Sequence, residues 1–261
     1  MLSTPDVSTG APERWFIRKF QQLENVHANA ILHNVSNLVG NGVQMRVGTA
    51  CSGSEVPIIW LGAFFRVCQS ILIEVPIDSP RAASHHVMSH TFACEINKAK
   101  ADRWIRAAFE PPLLFRDILS LGNVRAYDWL SDSLQLVPSV DAFVAGTSCK
   151  DFSSAKGLAV ADVLTIGTGT SNDTLVGALK FSQAKRPLWI SFENVINMLV
   201  AATISEALAE SNFQIVFQWF KDIGYILYWR VANPTHQKIP TKRLRVYYWG
   251  FAVIAQWSSL A

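Results

Sequence analysis

The sequence predicts an α/β domain built on a mainly parallel sheet, with an antiparallel strand pair near its C-terminal end. Three observations carry that expectation. Short runs that read as buried strands alternate along the chain with longer segments whose apolar residues fall at helical spacing. Half of the 261 residues are apolar and only 16% are charged, enough for a continuous core, which excludes the disordered class. The last two strand-like segments are joined by "PTHQKIPTK", too short for a helical crossover, so they pair antiparallel.

Taken in order, residues 1–12 read as a flexible tail, and residues 13–42 as a helical extension with Gly40 and Gly42 as stops. "MRVGTA" (45–50) is a strand running into a loop of small residues. "PIIWLGAFFRVCQSIL" is a helix. "HTFACEI" (90–96) is a strand followed by the helix "NKAKADRWIRAAFE", and "LLFRDI" (113–118) is a short strand. "VDAFVAGT" (140–147) is a buried strand and "SNDTLVGALKFSQAKR" a helix. "PLWISFENV" (187–195) is a further strand, with a helix from about Thr203 to Lys221 after it. "YILYWRVAN" and "RLRVYYWGFAVI" are the closing pair. The domain division is therefore residues 1–42 as tail and helical extension, and residues 43–261 as one α/β domain.

The net charge of +3 is mild and no Lys/Arg block occurs, so nucleic acid is permitted as a partner without being argued for. Cys51, Cys68, Cys94 and Cys149 lie far apart with no CxxC pair, which suits a reducing compartment. The N-terminus lacks the apolar region of a signal peptide. The most apolar stretch, "VPIIWLGAFFRVCQSILIEVPI", is interrupted by Arg66, Gln69 and Glu74 and reads as a buried helix, since a span needs about 20 mostly apolar residues. A soluble, intracellular protein without membrane attachment is expected.

In an open α/β sheet, ligands bind beyond the carboxyl ends of the strands. The first strand leads into "GTACSGSE" (48–55), where small residues let a ligand approach the backbone, although an ordinary tight turn would look the same. Glu95 ends the second strand and can accept hydrogen bonds from ribose hydroxyls. Asp117 ends the third and can accept one from an adenine amino group; either acid alone would also serve as a helix cap. Cys149 ends the fourth strand and Glu193 the fifth. A lone cysteine is often a buried filler. A carboxylate inside "LWISFENVINML" is costly to bury without a partner. Lys150, Arg243 and Arg245 are cations available to raise a thiolate fraction. His85, His86, His90 and Cys94 are close in sequence, but no second ligand pair lies at zinc-like spacing, so no metal is expected.

In this order the segments resemble the cytosine-C5 DNA methyltransferases, over roughly residues 45–251, in the wording of a divergent eukaryotic branch of fungal or protist type. "VGTACSGSE" is similar to the family's cofactor-wrapping motif, "FACEI" and "FRDI" to its two acidic positions, and "GTSCKDFS" to its catalytic loop. "FENV" is similar to its ENV motif and "IPTKRLRVYYWG" to its QxRxR motif. The resemblance implies a Rossmann-like fold that uses S-adenosylmethionine. Thr49, Ala50, Cys51, Ser52, Gly53, Ser54, Glu95, Ile96, Asp117, Ile118 and Gly146 would hold that cofactor. It implies that Cys149 adds to cytosine C6, Glu193 serves N3, Arg245 holds the O2 edge, and Arg243 and Asn194 support the loop. DNA in the nucleus is the implied substrate, with the base flipped out of its stack.

The chain departs from the family pattern at four positions. Ser148 stands where proline precedes the nucleophile, Lys150 where glutamine follows it, Thr241 at the glutamine of QxRxR, and Ile96 where an aromatic residue is common. A target-recognition domain is expected to be absent, since the sequence stops at Ala261, so that a second chain would supply recognition. Two other functions fit the same residues: a non-catalytic regulator on this fold, and an RNA cytosine methyltransferase. The Cys-Phe-Thr tripeptide of the tRNA-methylating subgroup is missing, which favours DNA.

Overall fold

The computed structural model describes residues 11–22, 24–40, 44–51, 56–73, 88–106, 110–152, 164, 167–199, 211–232 and 244–253. The chain forms two compact units, Met1–Val47 with Glu55–His90, and Gly48–Ser54 with Thr91–Ala261.

The first unit is helical. Helix α1 (Ala11–Gln22) buries Phe20, one turn beyond Phe16, and leaves Arg18 in solvent. Its start at Ala11 places the last residues of the expected tail in a helix. The single extension expected over 13–42 is two helices, with α2 spanning Asn25–Gly40 and burying Ala28 and Leu32 at an i, i+4 spacing. Helix α3 (Val56–Ile73) contributes Phe65, Val67 and Cys68 to the same cluster. Phe16 meets Trp60 and Phe64 edge-on at centroid distances of 5.6 and 5.3 Å. No described helix is long and apolar enough to cross a membrane.

The second unit carries the sheet, to which β1 (Met45–Ala50) and β2 (Met88–Cys94) contribute their C-terminal halves. The other strands are β3 (Leu114–Phe115), β4 (Arg125–Asp128), β5 (Ser133–Leu136), β6 (Ala142–Gly146), β7 (Trp189–Val195), β8 (Tyr225–Ala232) and β9 (Arg245–Ala252). Their order is β5-β4-β3-β2-β1-β6-β7-β9-β8. β2 and β3 are parallel, as are β6 and β7, whereas β9 runs antiparallel to both β7 and β8. This is the mixed, mostly parallel α/β sheet with a C-terminal antiparallel pair that the sequence predicts.

Three local details differ from expectation. The helix expected over 97–110 is a short turn α4 (Lys98–Lys100), capped by Asn97 and continued by a π-helical stretch over Ala101–Arg106. The strand expected over 113–118 keeps two paired residues, because Asp117 turns the chain by capping a 3-10 turn at Ile118–Ser120. β4 and β5 form an antiparallel pair that sequence reading missed. β5 lies at the sheet edge with Leu134 and Leu136 exposed, so it has no buried face to impose a period of two.

Two longer helices are described in this unit. Helix α5 (Thr170–Lys185) follows β6 in the chain. Helix α6 (Asn212–Asp222) opens with a capping box between Ser211 and Gln214; the stretch 203–210 of the expected helix lies outside the described residues.

The aromatic richness of the sequence becomes one line of rings across the sheet. Phe92 of β2 touches Phe115 of β3, Phe143 of β6 and Phe181 of α5 at 5.6, 6.3 and 5.5 Å. Phe143 reaches Phe192 of β7 at 5.9 Å, and Phe192 reaches Tyr248 of β9 and Phe220 of α6 at 5.3 and 5.2 Å. All seven rings are fully enclosed. β1 lies between β2 and β6, and at Gly48 it contributes no side chain: a Cβ there would sit 2.4 Å from the tip of Phe92. Gly48→Ala should therefore destabilise the fold by about 1–3 kcal/mol through overpacking, read as a lower urea midpoint with an unchanged m-value.

Candidate active site

The β6–β7–β9 side of the sheet gathers four of the expected catalytic residues. Cys149 lies three residues past β6, half-buried. Glu193 and Asn194 are near the end of β7, and Arg245 begins β9. The antiparallel register sets Tyr247 opposite Glu193 and Arg245 opposite Val195. Residues two apart in a strand share a face, so Arg245 and Glu193 emerge on the same side as diagonal neighbours. Their Nε and Oε1 atoms are 2.6 Å apart, with the arginine side chain 13% and the carboxylate side chain 36% exposed. Arg245 also donates from Nη1 to the carbonyl of Leu244 at 2.9 Å. A cation and a carboxylate oriented by each other make charge-assisted bonds stronger than neutral ones.

Asn194 points the other way, into the protein. Its Nδ2 donates to Thr147 Oγ1 at 2.8 Å and approaches the carbonyls of Thr147 and Ser148 at 3.4 and 3.3 Å. Its Oδ1 accepts from the amide of Val195 at 2.7 Å. Thr147 in turn donates from Oγ1 to the Glu193 carbonyl at 3.3 Å. The chain just ahead of Cys149 is thus sewn to the strand that carries Glu193. Beyond Cys149 the amide of Phe152 donates to the Cys149 carbonyl at 3.1 Å, and the Phe152 ring is fully buried in the core.

Thr147 and Tyr248 belong to this site although sequence reasoning did not single them out. Tyr248 is fully buried, with its hydroxyl beside Thr147 yet outside hydrogen-bond geometry. Burial raises the phenol above its ordinary value and the Glu193 carboxylate adds to the rise, while Thr147 works against it. Burial alternates along β9 and puts Tyr248 on the inward face, but the run of aromatics in "RVYYWGF" hides that alternation in the sequence, and only the β7–β9 register says which residue its hydroxyl reaches.

The second cluster lies at the ends of β1, β2 and β3. The amide of Cys51 donates to the Cys94 carbonyl at 2.8 Å, so β1 and β2 finish together; Cys51 itself holds a left-handed backbone at φ 53. Glu95 is almost buried. Its backbone is held by the Phe115 carbonyl at 3.0 Å and by the indole Nε1 of Trp129 at 3.1 Å. One carboxylate oxygen of Glu95 accepts from the Asn97 amide at 2.9 Å, and one oxygen of Asp117 accepts from the Leu119 amide at 3.0 Å. Each acid keeps its second oxygen outside any hydrogen bond among the described residues. Both acids face the Cys51 thiol closely enough to disfavour its ionisation. Two carboxylates with oxygens to spare, around a neutral thiol, suit a ligand bearing hydroxyl and amino donors.

Thr49 is buried, with Oγ1 at 3.5 Å from the Phe92 carbonyl. Ala50 and Ile118 turn their side chains into the core, so each presents only backbone to a ligand. Ile96 is exposed, and Gly146 is half-buried opposite Glu193 in the β6–β7 register. Ser52, Gly53, Ser54, Thr241 and Arg243 lie outside the described residues, as do His85 and His86. No group of three or more His, Cys, Asp or Glu able to hold a metal occurs among the described residues.

A family model described as C-5 cytosine-specific DNA methylase matches residues 92–259. A "DNA (cytosine-5-)-methyltransferase DMT5" of Cryptococcus neoformans var. grubii is 29% identical over 210 residues, 79% of this chain and 8% of that protein. The type II methyltransferase M.NgoBI of Neisseria gonorrhoeae is 32% identical over 117 residues, 44% of this chain and 33% of that protein. The chain thus spans less than two thirds of the length of either relative. Among solved structures, S. pombe Dnmt2 methyltransferase is 15% identical with a TM-score of 0.45, over 82% of this chain and 52% of that one.

The thiols predict an alkaline instability. Burial, and then Glu95 and Asp117, push the Cys51 thiol up from its ordinary 9.0 to about 12, and burial does the same to Cys68. Above pH 9 the unfolded chain loses these protons while the folded chain keeps them, so stability falls as pH rises from 9 towards 12. Urea midpoints measured above pH 9 should decline, and Cys51→Ala should make that decline shallower than in the parent protein.

Proposed function

The chain belongs to the family of C-5 cytosine-specific DNA methylases, and on that premise we propose that it transfers a methyl group from S-adenosylmethionine to C5 of a cytosine in DNA. The observation that supports this most is the tie between the two halves of the β6–β7–β9 site. Asn194 bonds the stretch entering Cys149 to the same strand that sets Glu193 against Arg245.

Cytosine C5 is a weak nucleophile until a thiolate adds to C6. In this reading Cys149 Sγ forms that bond, and the electron pair of the C5–C6 double bond becomes available at C5. Charge that spreads to the N3 and O2 edge is met by Glu193, which in its protonated form would give its proton to N3 and take it back when the ring is restored, and by Arg245, whose guanidinium is a fixed cationic donor for O2. C5 uses its electron pair to bond the methyl carbon, the C5 proton then passes to a base from solvent, and the C6–Sγ bond breaks to return the thiolate and restore the ring. Glu95 and Asp117 would receive the ribose hydroxyls and adenine amine of S-adenosylmethionine, with Thr49 through Ser54, Ile96, Ile118 and Gly146 around them. When bound, that group supplies an electrophilic methyl on a sulfonium. Residues 43–261 form the catalytic domain in this reading, Arg243 supports the loop, and DNA as substrate places the protein in the nucleus. The target base must leave its stack to reach Cys149.

DNA containing 5-fluorocytosine tests the proposal, because fluorine at C5 blocks the elimination that frees the enzyme. With S-adenosylmethionine present, a denaturant-resistant adduct should form, vanish in Cys149→Ser, and form about 10²–10⁴-fold more slowly in Glu193→Gln. An adduct on RNA but not on DNA would reassign the substrate. The catalytic reading fails if no adduct forms while S-adenosylhomocysteine at 100 Kd still stabilises the fold by about 2.7 kcal/mol.

A further inference from the structure

Ser148 stands directly before Cys149 and carries a backbone N–H, which a proline at that position would lack. That N–H is used. It donates to Thr174 Oγ1, in the second turn of α5, at 2.9 Å. The Thr174 hydroxyl is itself oriented, since it donates to the Ser171 carbonyl at 3.1 Å and so turns a lone pair to Ser148. Thr174 is only 8% exposed and Ser148 is half-buried, so an amide left without this acceptor would be only partly compensated by water.

A second pair of bonds fixes the far side of the same loop. The Asp151 amide donates to Ser171 Oγ at 3.0 Å, and the Ser171 amide donates to Asp151 Oδ2 at 2.8 Å. Ser171 is the second residue of α5, whose N-cap, Gly169, makes no side-chain cap. Asp151 therefore caps the helix from the loop, and its negative charge meets the positive helix end. Gly169, at φ 98, is suited to this docking: a Cβ there would come within 2.8 Å of Asp151 Oδ2. Cys149 is thus framed on both sides by the first turns of α5, while Asn194 holds the Ser148 carbonyl from β7.

We propose that Thr174 is a positioning residue for Cys149, acting through the Ser148 amide to hold the nucleophile's backbone in place of a ring-constrained residue. The catalytic part of this inference rests on the methyltransferase reading; the hydrogen-bonded clamp does not. Thr174→Val keeps the branched shape and removes the acceptor, Thr174→Ser keeps the acceptor, and Ser148→Pro removes the donor.

The test is a double-mutant cycle on adduct formation with 5-fluorocytosine DNA, paired with hydrogen exchange of the 147–152 amides in protein alone. Thr174→Val should slow the adduct by up to roughly tenfold, about the worth of one partly buried hydrogen bond, and Thr174→Ser should restore the rate. In the Ser148→Pro background, Thr174→Val should cost nothing further. Equal losses in both backgrounds, or failure of Thr174→Ser to rescue, would overturn the proposal and leave Thr174 as ordinary packing. If Ser148→Pro does not fold, exchange decides. Faster exchange of the Ser148 amide in Thr174→Val but not Thr174→Ser supports the clamp, and unchanged exchange refutes it. Absence of any adduct in the parent protein would instead count against the methyltransferase reading, with the clamp still judged by exchange.

Discussion

The line of rings from Phe115 through Phe92, Phe143 and Phe192 to Tyr248 is the constraint on which both clusters depend. Each ring belongs to a different strand, so a one-residue slip in any of them would turn its aromatic side chain away from the core. Such a slip would also move Glu95, Cys149 or Glu193, because each follows its ring by a few residues along the same strand or in the loop after it. Apolar packing that carries no chemistry thereby decides where the chemistry sits. The empty place at Gly48 is part of the same device, since β1 can pass beneath Phe92 only without a side chain.

On that frame the two clusters are built by opposite means. Around Cys149 the protein spends backbone and side-chain hydrogen bonds from Asn194, Thr147, Ser171 and Thr174 on a loop that secondary structure does not hold. Networks of this kind are strong only when every member is satisfied, which is why the loss of one acceptor should be felt at the thiol. Around Cys51 the bonds are fewer and each acid keeps an oxygen in reserve. The thiol there is held neutral by burial and by Glu95 and Asp117, an environment unsuited to a nucleophile. Two cysteines at strand ends thus stand in different surroundings, one framed by hydrogen bonds to its loop and one beside two acids.

Glu193 and Arg245 illustrate a further economy. Their pairing needs no dedicated loop, because the antiparallel β7–β9 register brings them together as diagonal neighbours on one sheet face. β9 reaches that position only by lying between β7 and β8, so the expected closing strand pair also delivers the cation.

Local structure was legible in the order of the residues alone. Periodicity placed nearly every major strand and helix, and it put Glu95, Asp117, Cys149 and Glu193 at strand ends, because burial on one or both faces leaves a pattern within a few residues; Arg245 was marked out by the family resemblance. Where a segment has no buried face, as with Leu134 and Leu136 in β5, there was no pattern to read. For Asp117 the sequence offered a cap and a ligand acceptor as alternatives, and the structure shows a cap that keeps one oxygen in reserve. Which distant residues meet depends on the packed fold: Arg245 with Glu193, Tyr248 beside Thr147, and Thr174 with the amide that precedes Cys149. The Ser148–Thr174 bond spans 26 residues, and the Asn194–Thr147 bond, decided the same way, spans 47. Contacts at such separations follow from strand register and helix docking, to which no short stretch of sequence is sensitive.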